Sequence, residues 1–112
     1  MIAEALMLRV ADRLRVLGQP VRLRLVEQLV AGPSTPQELS DILGLSQQNV
    51  SKHLLILHRA GVVSRRPEGA NVNYALADET VVIVFRLAVD GVTRQLRELS
   101  ELAAPSSEVA VG

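Results

Sequence analysis

The sequence predicts a mainly α-helical domain with one small β-hairpin. Three observations carry that prediction. Apolar residues make up 48% of the 112-residue chain, but its aromatics are one Tyr and one Phe. The core must therefore be built from Leu, Val, Ile and Ala, which favours helices packed on helices. Apolar positions recur at helical spacing on both sides of one short segment. That segment, residues 62–76, alternates instead, as paired strands do.

The first helix is read at residues 2–17, where Leu6, Val10, Leu14 and Leu17 form one stripe. Gly18 ends it and Pro20 restarts the chain. A second helix follows from about Val21 to Val30, with Leu25, Val26 and Val30 inward, and Gly32-Pro33 stops it. The third has a strong start signal. Thr35 can act as N-cap, Pro36 suits the first helical position, and Glu38 can close a capping box. Gly44 ends this helix at the C′ position. Ser46 then caps a fourth helix running to about Ala60, with Gly61 after it. Two helices joined by Leu43-Gly44-Leu45 have the spacing of a helix-turn-helix.

Past Gly61, Val62 to Arg66 reads as a strand, Pro67 to Asn71 as turn chemistry, and Val72 to Leu76 as a second strand. A hairpin directly after a helix-turn-helix is a wing. A long last helix is expected over about 78–102, with Phe85, Ala88, Val92, Leu96 and Leu99 in one stripe. Val82 and Val89 widen that stripe beyond one packing face, which predicts a partner, most simply a second copy of the chain. The expected organisation is one winged helix-turn-helix domain over 1–104, dimeric through its first and last helices. Residues 105–112 are expected to form a flexible tail.

Composition narrows the function. The chain has no Cys, which excludes disulfides, thiolate metal sites, Cys nucleophiles and thiol redox sensing. No apolar run reaches the roughly 18 residues of a membrane span. Glu4, Arg9 and Asp12 interrupt any signal-peptide core, so a cytoplasmic protein without membrane contact is expected. Net charge is zero, but it is unevenly spread. Residues 1–42 carry five basic and five acidic side chains, and residues 77–112 carry three against six. Residues 43–76 carry Lys52, Arg59, Arg65 and Arg66 against Glu68 alone. The basic segment is the helix-turn-helix and its wing. There is no Gly-rich phosphate loop, nucleophile–base pairing or metal-ligand cluster, so an enzyme is not expected.

On a helical wheel centred on Val50, Leu54 and Leu57 fall on the buried side of the fourth helix. Gln48, Lys52 and Arg59 fall opposite, with Asn49 and Ser51 on the flanks. Asn and Gln can pair bidentately with adenine, Lys can reach guanine or phosphate, and Ser can meet either. The helix N-terminus at Ser46 offers free backbone N–H groups to a phosphate. Leu55 and Ile56 also fall outward. They can meet a thymine methyl or pack on neighbouring structure, and packing is the preferred reading. His53 and His58 lie five apart, about 140° around the helix, too far to chelate one ion. His53 is expected to be packed and hydrogen-bonded, and His58 to be helix-end surface.

The stretches "LGQPVRLRLVEQL" and "STPQELSDILGLSQQNVSKHLLILHRAGVVSRRPEGANVNYAL" resemble the ArsR/SmtB family of winged-helix repressors. The likeness covers about Leu14 to Leu76. Its motifs are Pro20 with Arg22, the "LSQQNVSKHLLIL" helix, the "AGVV" lead into the wing, and the hairpin ending Tyr74-Ala75-Leu76. The resemblance implies a homodimer of α1-α2-α3-α4-β-β-α5 order, with a recognition helix at about 47–59. It also implies a DNA-binding transcriptional repressor acting on an approximately palindromic double-stranded operator.

The expected DNA contacts are Ser46, Gln47, Gln48, Asn49, Ser51 and Lys52 on the recognition helix. Arg65, Arg66, Asn71 and Asn73 are expected from the wing. Arg22 and Arg24 are read either as phosphate contacts or as partners of Glu27 or Asp41. Many family members release DNA on binding metal. Where one site type has a Cys-x-Cys pair, this chain has Thr35-Pro36-Gln37, and where another has His on the last helix, it has none. A carboxylate-only site at Asp90, Glu98 or Glu101 is the remaining metal reading, and salt bridges of these acids with Arg94 and Arg97 are preferred to it. No metal or cofactor is expected, and an effector, if one exists, would be a small molecule or a protein. The alternative reading is a winged-helix module that acts through protein–protein contact and not through DNA.

Overall fold

The structure, a computed structural model, describes residues 1–103; the expected tail at 105–112 lies outside the described residues. Five helices and one hairpin follow in order: α1 Glu4–Leu17, α2 Pro20–Val30, α3 Pro36–Leu43, α4 Gln47–Arg59, β1 Val63–Glu68, β2 Asn71–Leu76 and α5 Glu79–Leu102. This is the winged helix-turn-helix order. One core joins Leu17 of α1, Leu25, Val26 and Leu29 of α2, Leu39 of α3, and Val50, Leu54 and Leu57 of α4. Val62, Val63, Tyr74 and Val81 close it from the wing side and from the start of α5.

The helix starts follow local chemistry. Gln19 caps α2, its side chain accepting from the Arg22 N–H at 2.9 Å, so Pro20 is the first residue of the helix and not a break before it. Thr35 Oγ1 accepts from the Glu38 N–H at 3.2 Å. The expected capping box takes a different form. The Glu38 carboxylate accepts the hydroxyls of Thr35 at 3.1 Å and Ser34 at 3.4 Å. Asp78 caps α5, accepting from the Thr80 N–H at 2.8 Å.

The turn between α3 and α4 is fixed from both sides. Gly44 adopts φ 67°, the left-handed conformation that glycine enters without a Cβ penalty. The Ser40 carbonyl accepts the N–H groups of Gly44 at 3.0 Å and Leu45 at 3.2 Å. The buried Ser40 hydroxyl donates to the Leu45 carbonyl at 2.6 Å.

The strands are longer than the sequence suggests. Pro67, Glu68 and Asn71 belong to the ladder, with Glu68 opposite Asn71 and Arg65 opposite Tyr74. Only Gly69 and Ala70 form the turn, and Gly69 takes φ 59°, as a two-residue hairpin loop with Gly in the first position requires. A further bridge pins the wing to the body: Ser34 and Tyr74 exchange both backbone hydrogen bonds, at 2.9 and 2.8 Å.

The outer helices leave wide apolar faces open in the single chain. Leu6, Val10 and Leu14 of α1 are exposed, as are Leu87, Val92, Leu96 and Leu99 of α5. Arg13 links the two helices, lying 4.0 Å from Asp78 and donating to Thr80 Oγ1 at 3.5 Å. No helix among the described residues is long and apolar enough to cross a membrane.

Candidate nucleic-acid interface

Helix α4, the expected recognition helix, is built by a strict division of faces. Val50, His53, Leu54 and Leu57 are buried, while Gln47, Gln48, Ser51 and Lys52 are exposed together near the helix start. Asn49 is half-buried at the edge. Ser46 is the N-cap, and its Oγ accepts from the Asn49 N–H at 3.1 Å. That bond leaves the hydroxyl proton free to point outward. The first turn carries no acid, so nothing there opposes an incoming phosphate.

The wing divides its basic residues. Side chains alternate along a strand, so Arg65 lies on the Tyr74 side of the hairpin. Arg66 lies with Ser64, Glu68, Asn73 and Ala75 around a cavity of about 170 Å³ beside Pro33. Both arginines are exposed, and so is Asn71. Asn73 is less available than its sequence position suggests. It is half-buried, and its Nδ2 donates to Glu68 Oε2 at 2.8 Å. The structure thus groups Gln47, Gln48, Ser51 and Lys52 on one exposed face, with Ser46 at its start and Asn49 at its rim. Arg65, Arg66, Asn71 and Asn73 form a separate set on the wing.

Two expectations are corrected. Arg22 faces neither solvent phosphate nor Glu27 nor Asp41. Its Nε donates to the Val16 carbonyl at 2.5 Å, and its Nη1 lies 3.3 Å from His53 Nδ1. Guanidinium can only donate, so His53 Nδ1 is the acceptor and the ring proton sits on Nε2. Burial, with Lys52 and Arg22 nearby, holds the His53 pKa below its ordinary value of 6.5, consistent with a neutral ring. His58 is exposed at the helix end, as expected, and its Nδ1 also donates to the Val63 carbonyl at 3.2 Å, tying the end of α4 to the wing. Among the described residues, Asp90, Glu98 and Glu101 form no ion pair with Arg94 or Arg97; the pairs present are Arg13–Asp78, Arg15–Asp12 and Arg24–Glu27.

Arg24 does pair with Glu27, at 2.9 Å, as one of its two readings expects. Leu55 and Ile56 separate: Ile56 packs against the core, whereas Leu55 is 42% exposed. Among the described residues, no three His, Asp or Glu side chains converge as metal ligands would. Sequence reasoning passed over Ser40; its only signal was a small polar residue on the inner side of the turn.

A helix-turn-helix domain family matches residues 17–66. The chain is 44% identical over 64 residues to the HTH-type transcriptional regulator CmtR of Mycobacterium tuberculosis, covering 57% of this chain and 54% of CmtR. It is 46% identical over 78 residues to the HTH-type transcriptional repressor SmtB of the same organism, covering 70% and 58%. It thus spans little more than half the length of either. The HTH-type regulator Rv0081 of M. tuberculosis is 33% identical over 89 residues, with 79% and 78% covered. The Rv0081 crystal structure has a TM-score of 0.77 at 31% identity, covering 86% of this chain and 97% of that one. The homodimeric winged helix-turn-helix domain of Mb0332 from Mycobacterium bovis, a possible ArsR-family regulator, has a TM-score of 0.79 at 26% identity, covering 84% and 87%. With a relative one-third identical over most of both sequences, and with helices, tight turn and wing in the same order, the chain belongs to the ArsR/SmtB family of winged helix-turn-helix transcriptional regulators.

Proposed function

We propose that the protein is a sequence-specific DNA-binding transcriptional repressor that acts as a homodimer in the cytoplasm. The observation that carries this reading is the exposed, acid-free start of α4, where Gln47, Gln48, Ser51 and Lys52 stand together beside a wing bearing Arg65 and Arg66. Two such helices, one per subunit, would enter successive major grooves with half-sites roughly 34 Å apart. Gln47, Gln48, Asn49 and Ser51 would read base edges. Ser46, Lys52, Arg65 and Arg66 would hold phosphates, and Asn71 and Asn73 would add weaker contacts from the wing.

The dimer follows from the open apolar faces of α1 and α5, which a second copy would cover. The operator would then be approximately palindromic. The acid-free face bearing Lys52, and relatives that are transcriptional regulators, favour DNA over a protein-only interaction module. No enzymatic step is proposed.

A binding titration on DNA from the protein's own promoter, repeated at several salt concentrations, tests the reading. Affinity should prefer one sequence and fall steeply with salt. Binding that shows neither property overturns it. The thiol-free chain should also keep its DNA affinity when zinc, nickel, copper or arsenite is added, and stoichiometric release by any of them would refute the view that it lacks the family's usual metal sites.

A further inference from the structure

We infer that Leu55 is a specificity-determining residue that reads the 5-methyl group of a thymine in each half-site; this rests on the DNA-binding reading above. Every other large apolar side chain of α4 has a home in the protein. Val50, Leu54 and Leu57 are buried and Ile56 packs against the core, but Leu55 is 42% exposed. At 100° per residue, Leu55 stands about 20° from Gln48, 40° from Ser51 and 60° from Lys52. It therefore lies within the arc of the proposed reading face, not on the side that packs on α2 and α3. It sits about 10 Å further along the helix axis than Gln48, so it faces a different base pair.

The chemistry selects the occupant. A leucine among amides, a hydroxyl and an ammonium has no hydrogen bond to offer. In the major groove only thymine presents a methyl group among the polar edges, and apolar side chains recognise it by contact. Leu55 thereby adds a contact that the neighbouring polar residues cannot make, and does so without a charge that would bind every sequence alike.

The test removes that methyl from the DNA. A preferred duplex is first selected from random sequence by the full-length wild-type protein. Each thymine of a half-site is then replaced singly by deoxyuridine, which lacks only the 5-methyl group. At one position per half-site the replacement should weaken wild-type binding about fourfold, the effect of exposing one buried methyl, while leaving Leu55→Ala unaffected. Leu55→Ala should keep its helical circular dichroism and its dimer mass. Uniform tolerance of deoxyuridine, or equal methyl dependence in Leu55→Ala, overturns the inference while leaving DNA recognition intact. Loss of the dimer in Leu55→Ala would overturn it by placing the side chain at the subunit interface. Failure to select any duplex would overturn the DNA reading itself.

Discussion

Arg22 and His53 meet 3.3 Å apart in the half-buried space between α2 and α4, and the same guanidinium holds the Val16 carbonyl at the end of α1. One side chain therefore joins three helices. Arg22→Met keeps the stem but leaves a carbonyl and a ring nitrogen without their donor. It should lower unfolding free energy by about 1–3 kcal/mol, read by urea denaturation at fixed protein concentration. Arg22→Lys should recover only part of this, because a single ammonium lacks the fork that reaches both acceptors.

The same contact predicts a pH dependence. In the folded protein the His53 pKa lies below 6.5, chiefly through burial and then through Lys52 and Arg22. As pH falls below 6.5 the unfolded chain takes up a proton that the folded one resists, so stability is lost down through the depressed value and is full above 6.5. The urea midpoint should drop across that window in wild type and stay flatter in His53→Gln, whose amide oxygen can still accept from Arg22. Asp78 behaves oppositely in origin. Hydrogen bonds from Thr80 lower its pKa below 3.8, so its contribution disappears only as pH falls below 3.8.

Ser40→Ala removes the hydroxyl that donates to the Leu45 carbonyl inside the helix-turn-helix. The loss should be about 1 kcal/mol of stability. Because the turn sets the angle between α3 and α4, DNA affinity should fall without any change in preferred sequence. A selection experiment that returned a new preferred base would show that Ser40 acts on recognition directly.

On the proposed interface, Lys52→Ala should weaken binding similarly on all sequences and reduce the salt slope by about one. Gln48→Ala should cost about 1–3 kcal/mol and relax preference at one base pair. Competition titrations with single-base variants of the selected duplex separate the two behaviours.

Much of this architecture is legible in the chain because its signals are local. Thr35, Ser46 and Gly44 act within a few residues of themselves, and they mark the helix-turn-helix before anything packs. The fate of Arg22 was not legible, since its partners stand six and thirty-one residues away and meet it only after α1, α2 and α4 assemble. The wheel turns Leu55 and Ile56 both outward but to opposite flanks, Leu55 toward Gln48 and Ile56 toward Asn49. What divides them is the neighbouring core, which takes up Ile56 and leaves Leu55 outside. Pro67 and Asn71 read as turn residues by composition, yet the ladder runs through both up to Gly69-Ala70.

The paired bonds between Ser34 and Tyr74 bear on how the protein avoids self-association through its wing. An isolated hairpin has two free edges, each a template for another chain. Here the outer edge of β2 is already engaged by Ser34 at its centre. The edge of β1 is six residues long, bears Arg65 and Arg66, and includes Pro67, which has no N–H to give. The wing can therefore present its exposed arginines to solvent without recruiting a neighbouring strand into a growing sheet.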